Sequence, residues 1–206
     1  MIDTAFLITS FVTLFVIVDP IGLTPVFLAL TQGMPPARRR SIAVRAIVTS
    51  AFILALFTAF GEAVLGFIGI SMPAFRIAGG VLLFLTALDM LFERRNKRRE
   101  DRSEEEEFDD PSVFPLAIPL IGGPGSIATV ILLAGQQPGF TGFAMVMGVV
   151  LAVLAILLGM CLFSGMLERM LGKTGITVVT RLLGMLLAAL SVQFVLDGLR
   201  AFGFAG

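Results

Sequence analysis

Apolar positions gather into runs of roughly 20 residues, the length that carries a helix across a bilayer core. The first run covers residues 4–30 and holds Asp19, Pro20, Gly22 and Pro25 in its middle. A polar turn at 31–41 follows, with Arg38, Arg39 and Arg40. A second run spans 42–60, a glycine-rich loop covers 61–72, and a third run spans 74–92. Residues 93–110 are the single soluble-looking stretch, with six basic and nine acidic side chains. The fourth run, 113–135, is interrupted by Pro119, Gly122, Gly123, Pro124 and Gly125. A turn at 136–141, a fifth run at 142–165, a loop at 168–175 and a sixth run at 176–196 complete the pattern. It predicts an all-α membrane protein with six transmembrane helices, the first and fourth discontinuous.

Composition agrees with lipid as the solvent. Of 206 residues, 57% are hydrophobic and 15% charged, against about a quarter charged in a soluble domain. A chain this small could not hide so much apolar surface from water. Net charge is zero, which removes the basic signature of nucleic-acid binding. Cys161 is the lone cysteine and His is absent, so neither a disulfide frame nor a metal set is expected, and no cofactor. An enzyme is disfavoured for the same reason, since no Cys–His pair or carboxylate cluster lies at span depth. The N-terminal run has no basic leader and reads as a retained span. Basic residues concentrate in the first, third and fifth connections, which predicts those connections in the cytoplasm and both termini outside.

The chain also repeats itself. Glu62, Leu65, Gly66, Gly69, Ile70 and Ser71 recur as Glu168, Leu171, Gly172, Gly175, Ile176 and Thr177. Arg76 and Gly79 recur as Arg181 and Gly184, and Pro20 falls opposite Pro124, all at offsets of 104–106. Three spans per half force the second half to enter from the opposite side. The expected organisation is therefore a 3+3 inverted repeat: residues 1–92, a charged linker at 93–112, and residues 113–206. Secondary transporters are built this way, with sites at the repeat interface.

The interruptions are where chemistry is expected. Asp19 before Pro20 is the pattern of an N-cap with proline at the first helical position, so a half-helix should start near Ile21. A second should start near Ser126. Each helix start offers N–H groups and partial positive charge to an anion. Asp19 adds a negative charge beside them, and a charge at bilayer depth is functional by default. Together these features suit a small zwitterion. The expected binding residues are Asp19, Pro20, Gly22, Thr24 and Pro25 from the first break, and Gly122, Gly123, Pro124, Gly125, Ser126 and Thr129 from the second. The plainer alternative is a pair of proline kinks with Asp19 as a cap. Arg76 and Arg181 read as interfacial anchors or partners of Glu62 or Glu168, Asp89 and Asp197 as interfacial, and Gln193 and Thr86 as core hydrogen-bonders. Gly79, Gly80 and Gly184 read as sites of close helix packing.

The two interruptions resemble the paired signatures of the MarC family of bacterial and archaeal membrane proteins. Asp19-Pro20-Ile-Gly22-Leu-Thr24-Pro25 is similar to the first, and Pro115-Leu-Ala-Ile-Pro119-Leu-Ile-Gly122-Gly123-Pro124-Gly125-Ser126 to the second. The resemblance covers nearly the whole chain. It implies a prokaryotic inner-membrane location, kinship with lysine-exporter-like carriers, and transport of a small neutral amino acid such as glycine or alanine coupled to protons. It also implies site roles for Asp19, Gly22, Thr24, Gly123, Gly125 and Ser126. Competing readings are an exporter or channel for another solute or ion, and a structural or regulatory membrane protein without substrate. The lipid bilayer and a small solute are the expected partners, and a homo-oligomer is compatible with the sequence.

Overall fold

The computed structural model describes residues 4–31, 33–92, 110–137 and 139–203. Within them the chain is helical. The charged linker falls almost entirely outside the described residues. Helices α1 (Thr4–Val18) and α2 (Pro20–Leu30) form the first run, and α3 (Pro36–Ile68) and α4 (Met72–Leu91) the second and third. An irregular segment, Ser112–Ile121, leads into α5 (Pro124–Gln136) at an angle of 54°. Helices α6 (Phe140–Leu162) and α7 (Ser164–Ala201) close the chain. Among the described residues, five helical stretches are long and apolar enough to cross a membrane, and the bent pair before and including α5 makes a sixth.

Several expected loops are helical instead. The stretch 61–72 was expected to be irregular because of its glycines, yet α3 runs through Gly61 and Gly66 and stops only at Gly69, which takes the left-handed conformation at φ 85°. Gly61 is used for packing, against Ile131 of α5. Likewise Arg38–Arg40 lie in the first turns of α3, because Pro36 starts that helix. The expected loop at 168–175 is a helical stretch broken at Gly172, where φ is 61°. Neighbouring helices supply the tertiary support that outweighs weak local propensity.

Burial identifies the centre of the bundle. In its most apolar window the α1–α2 span is 61% buried, against 22% for α3. The outer helices turn large apolar side chains outwards, including Phe52, Phe60 and Leu182. On a soluble protein such faces would aggregate; here they meet lipid. Helix α1 serves two cores at once. Its Leu14 and Val18 join α2, α3, α6 and Ser112–Ile121, while Val16 and Ile17 join α4, α5 and α7.

Helices α4 and α7 pack antiparallel and very closely. A β-carbon at Gly80 would lie 2.8 Å from the Ser191 carbonyl, and one at Gly184 3.0 Å from Met90 Cβ. Gly198 meets Pro73 and Ile77 in the same way. Between helices in lipid there is no hydrophobic drive, so close backbone approach supplies the attraction. The expectation of close packing holds for Gly80 and Gly184 between α4 and α7, and for Gly79 against Leu132 of α5.

Candidate functional site

The first interruption is a single residue. Asp19 adopts φ 53° and ψ 63°, the one non-glycine with positive φ among the described residues. Its N–H still donates to Phe15 O (2.9 Å), and its own carbonyl accepts from Leu23 N–H (2.9 Å). The helix thus stops and restarts within one residue. Its carboxylate caps α2, with Oδ1 accepting from Gly22 N–H at 3.0 Å, and Pro20 takes the first helical position. A short polar side chain tolerates this conformation better than most. Asp19 is fully buried. Gly22 is a steric requirement, because a β-carbon there would overlap the Asp19 carboxylate.

The second interruption is longer. Within Ser112–Ile121 the peptide bonds Phe114–Pro115 and Ile118–Pro119 are cis, and Phe114 and Ile118 are extended. Regular α-helix is absent from this half of the run, although the apolar pattern predicted it. Gly123 then caps α5 without any side-chain hydrogen bond, and Pro124 starts it. The tips therefore differ: α2 carries its own carboxylate, whereas α5 has no side-chain cap. Gly122 and Gly123 are buried, Gly125 is half-buried and Pro124 is exposed.

The candidate hydroxyls are all engaged with backbone. Thr24 Oγ1 donates to Pro20 O (2.8 Å), Ser126 Oγ to Ile121 O (2.7 Å) and Thr129 Oγ1 to Gly125 O (2.8 Å). The Ser126 bond reaches across the second break to the last carbonyl before it. Thr24, Ser126 and Thr129 are buried. Pro20 is buried and Pro25 half-buried inside α2.

What joins the two breaks is α1. A β-carbon on Gly125 would touch Ile17 Cγ2 at 3.4 Å, two residues before Asp19, and would lie 3.9 Å from Thr86 Oγ1 of α4. Helices α2 and α5 are not principal packing partners. Thr86 itself donates to Leu82 O (3.0 Å), as expected of a core hydrogen-bonder.

The remaining polar residues sort by position. Gln193, expected as a core hydrogen-bonder, is instead exposed on α7, where it donates to Asp197 (2.8 Å). At one end of the bundle Arg39 Nη2 donates to Ser164 Oγ (3.2 Å), and its guanidinium sits 5.9 Å from the Phe27 ring centroid. A cavity of about 140 Å³ there is lined by Arg39, Arg40, Cys161 and Ser164. Arg45 pairs with Asp110 at 2.6 Å in an exposed position. Ser112, whose backbone N–H donates to Asp110 Oδ1 at 3.1 Å, then Arg45 and Arg38, hold the Asp110 carboxyl below its ordinary range. Larger cavities lie elsewhere. One of about 440 Å³ lies between α3 and the start of α6, beside Thr58 and Glu62. Another of about 530 Å³ is lined by Thr9, Ser10, Arg76, Gln136 and Gln137. The sequence reading missed Ser10 and Thr9 because isolated hydroxyls in an apolar run carry no pattern.

The family model described as MarC family integral membrane protein matches residues 4–202. The chain belongs to the MarC family. Membrane protein YvbG of Bacillus subtilis is 38% identical over 200 residues, covering 95% of each chain. A membrane protein of Archaeoglobus fulgidus is 36% identical over 197 residues, covering 95% of this chain and 92% of its own. The inner membrane protein YhgN of Escherichia coli is 35% identical over 197 residues, with 94% and 96% covered. No solved structure matches the chain. This MarC-family chain is an integral, multi-pass membrane protein, and both interruptions lie within the matched residues.

Proposed function

We propose that this MarC-family protein is a secondary active transporter of a small neutral amino acid of glycine or alanine size, working by alternating access with proton coupling. The observation that carries the reading is the pair of interrupted spans that share the last turn of α1 as a neighbour. Irregular backbone at membrane depth persists only where it is buried in protein or lines a water-filled cavity. The uncapped start of α5 suits the ligand carboxylate, and the glycines beside it favour a small ligand. Asp19 meets the amine or carries the coupling proton. In the present conformation the candidate hydroxyls bond to backbone, as in a closed site between two access states.

The inverted repeat is part of this proposal. It pairs α1–α2 with residues 112–136, α3 with α6, and α4 with α7. The packing supports it. Helices α3 and α6 pack together, as do α4 and α7. The contact of α3 with α5 has its counterpart in α6 with α2, and that of α2 with α7 in α5 with α4. In this arrangement the Arg38–Arg40 connection and the linker at 93–112 are cytoplasmic and the termini outside.

The deciding experiment is reconstitution into liposomes with labelled glycine, alanine and a panel of other amino acids, with and without a pH gradient. Saturable uptake and counterflow of a small neutral amino acid, enhanced by the gradient and lost in Asp19→Asn, is expected. Absence of specific uptake for every amino acid would overturn the reading.

A further inference from the structure

We propose that the cavity between the start of α1, the start of α4 and the end of α5 is an anion-binding vestibule, with Arg76 as its charge, that takes the carboxylate of a small solute. The cavity of about 530 Å³ is lined by Arg76, Ser10, Thr9, Gln136 and Gln137, and among the described residues no Asp or Glu lines it. Among the described residues, no carboxylate pairs with Arg76, whose Nε is buried without a partner. Ser10 is fully buried, lines the cavity, and its Oγ also lacks a partner. The Ser112 and Thr180 hydroxyls are also unpaired but do not line this cavity, whereas Thr13, Thr31, Ser50 and Thr58 each donate one turn back. A buried polar atom left unpaired is unfavourable unless something enters to pair with it. A guanidinium flanked by hydroxyl and amide donors matches a carboxylate, which accepts two parallel hydrogen bonds.

The position gives this site a purpose. Helices α1, α4 and α5 line the cavity at one end and meet again at Gly125, beside Ile17, Leu83 and Thr86. From Arg76 to Thr86 is ten residues of helix, about 15 Å. Along this seam Val16, Ile17, Leu83 and Leu132 belong to one buried apolar cluster. The vestibule therefore stands at the open end of a seam whose inner end is the uncapped start of α5. The choice of solute rests on the transport reading; the anion preference does not.

The test uses the full chain in phosphatidylcholine vesicles, with Cys161→Ala and Gln136→Cys placing one reactive thiol at the cavity rim. Labelling rates are compared for an anionic and a cationic methanethiosulfonate of similar size at low salt, each normalised to its rate on free cysteine. An electropositive cleft concentrates anions, so an anionic preference of about tenfold is expected. Arg76→Gln should bring it to about one, and Arg76→Lys should retain most of it and report a folded chain. Equal rates in the parent, or a preference unchanged by Arg76→Gln, would overturn the vestibule. Glycine should slow the anionic reagent and methylamine should not. Protection by inorganic phosphate but not glycine would overturn the carboxylate assignment. Anion preference without amino-acid uptake in the same vesicles would leave the vestibule standing and remove the transport reading.

Discussion

Replacing Asp19 separates its structural role from its charge. The side chain does two things at once: it caps α2 through Gly22 N–H at 3.0 Å, and it tolerates φ 53°. Asn keeps both properties and loses the charge. Gly loses the cap but fits the backbone, and Ala loses both. Replacing a cap by Ala costs about 1 kcal/mol and by Gly only a few tenths, and a left-handed residue with a plain β-carbon costs about 1–2 kcal/mol. The expected stability order is Asn at or above Asp, then Gly lower by a few tenths of a kcal/mol, then Ala lower by about 2–3 kcal/mol. Equilibrium unfolding by sodium dodecyl sulfate in mixed micelles gives the order directly. If Ala matched Asn, or Gly fell as far as Ala, the account of this break as a strained, capped hinge would be wrong. Asn is then the clean variant for transport, because a loss of uptake in it would belong to the charge.

Three further outcomes follow from the packing. Gly80→Ala should destabilise by about 1–3 kcal/mol, since its β-carbon would meet the Ser191 carbonyl, while Gly148→Ala in α6, which faces open space, should stabilise by up to about 1 kcal/mol in the same unfolding assay. Ser126→Ala should cost about 1–3 kcal/mol by stranding the Ile121 carbonyl, with Ser126→Thr closer to wild type. The Asp110 carboxyl titrates below its ordinary value of 3.8, so the stability it brings is present above that pH and is lost as pH falls through its lower folded value. Because the Arg45–Asp110 pair is exposed, Asp110→Asn should change stability by less than about 1 kcal/mol at neutral pH and flatten the acid limb.

Asp19, Pro20 and Gly22 were legible in the sequence because capping is a local interaction, and the chain order alone carries it. Span number was legible for a similar reason, since bilayer thickness imposes a length on every run. The second break was legible as a place but not as a shape: nothing in Pro115 and Pro119 distinguishes a kinked helix from the extended turns at Phe114 and Ile118. Gly61 and Gly66 misled, because a glycine that admits a neighbour reads the same as one that ends a helix. Arg76 was visible as a charge near a span end, but its place in one cavity lining with the unpaired Ser10 hydroxyl depends on how α1 meets α4.

Helix α3 also has a bearing on the membrane itself. Its 33 residues extend about 50 Å, well beyond a hydrocarbon core of about 30 Å. Yet only 16 residues separate Arg45 from Glu62, about 24 Å of uncharged helix. With Arg45 held by Asp110 at one surface, that interval fits a bilayer thinner than average or a long side chain reaching outwards. If thinning rather than the Arg45 side chain meets this mismatch, resistance to unfolding is expected to rise in shorter-chain lipids.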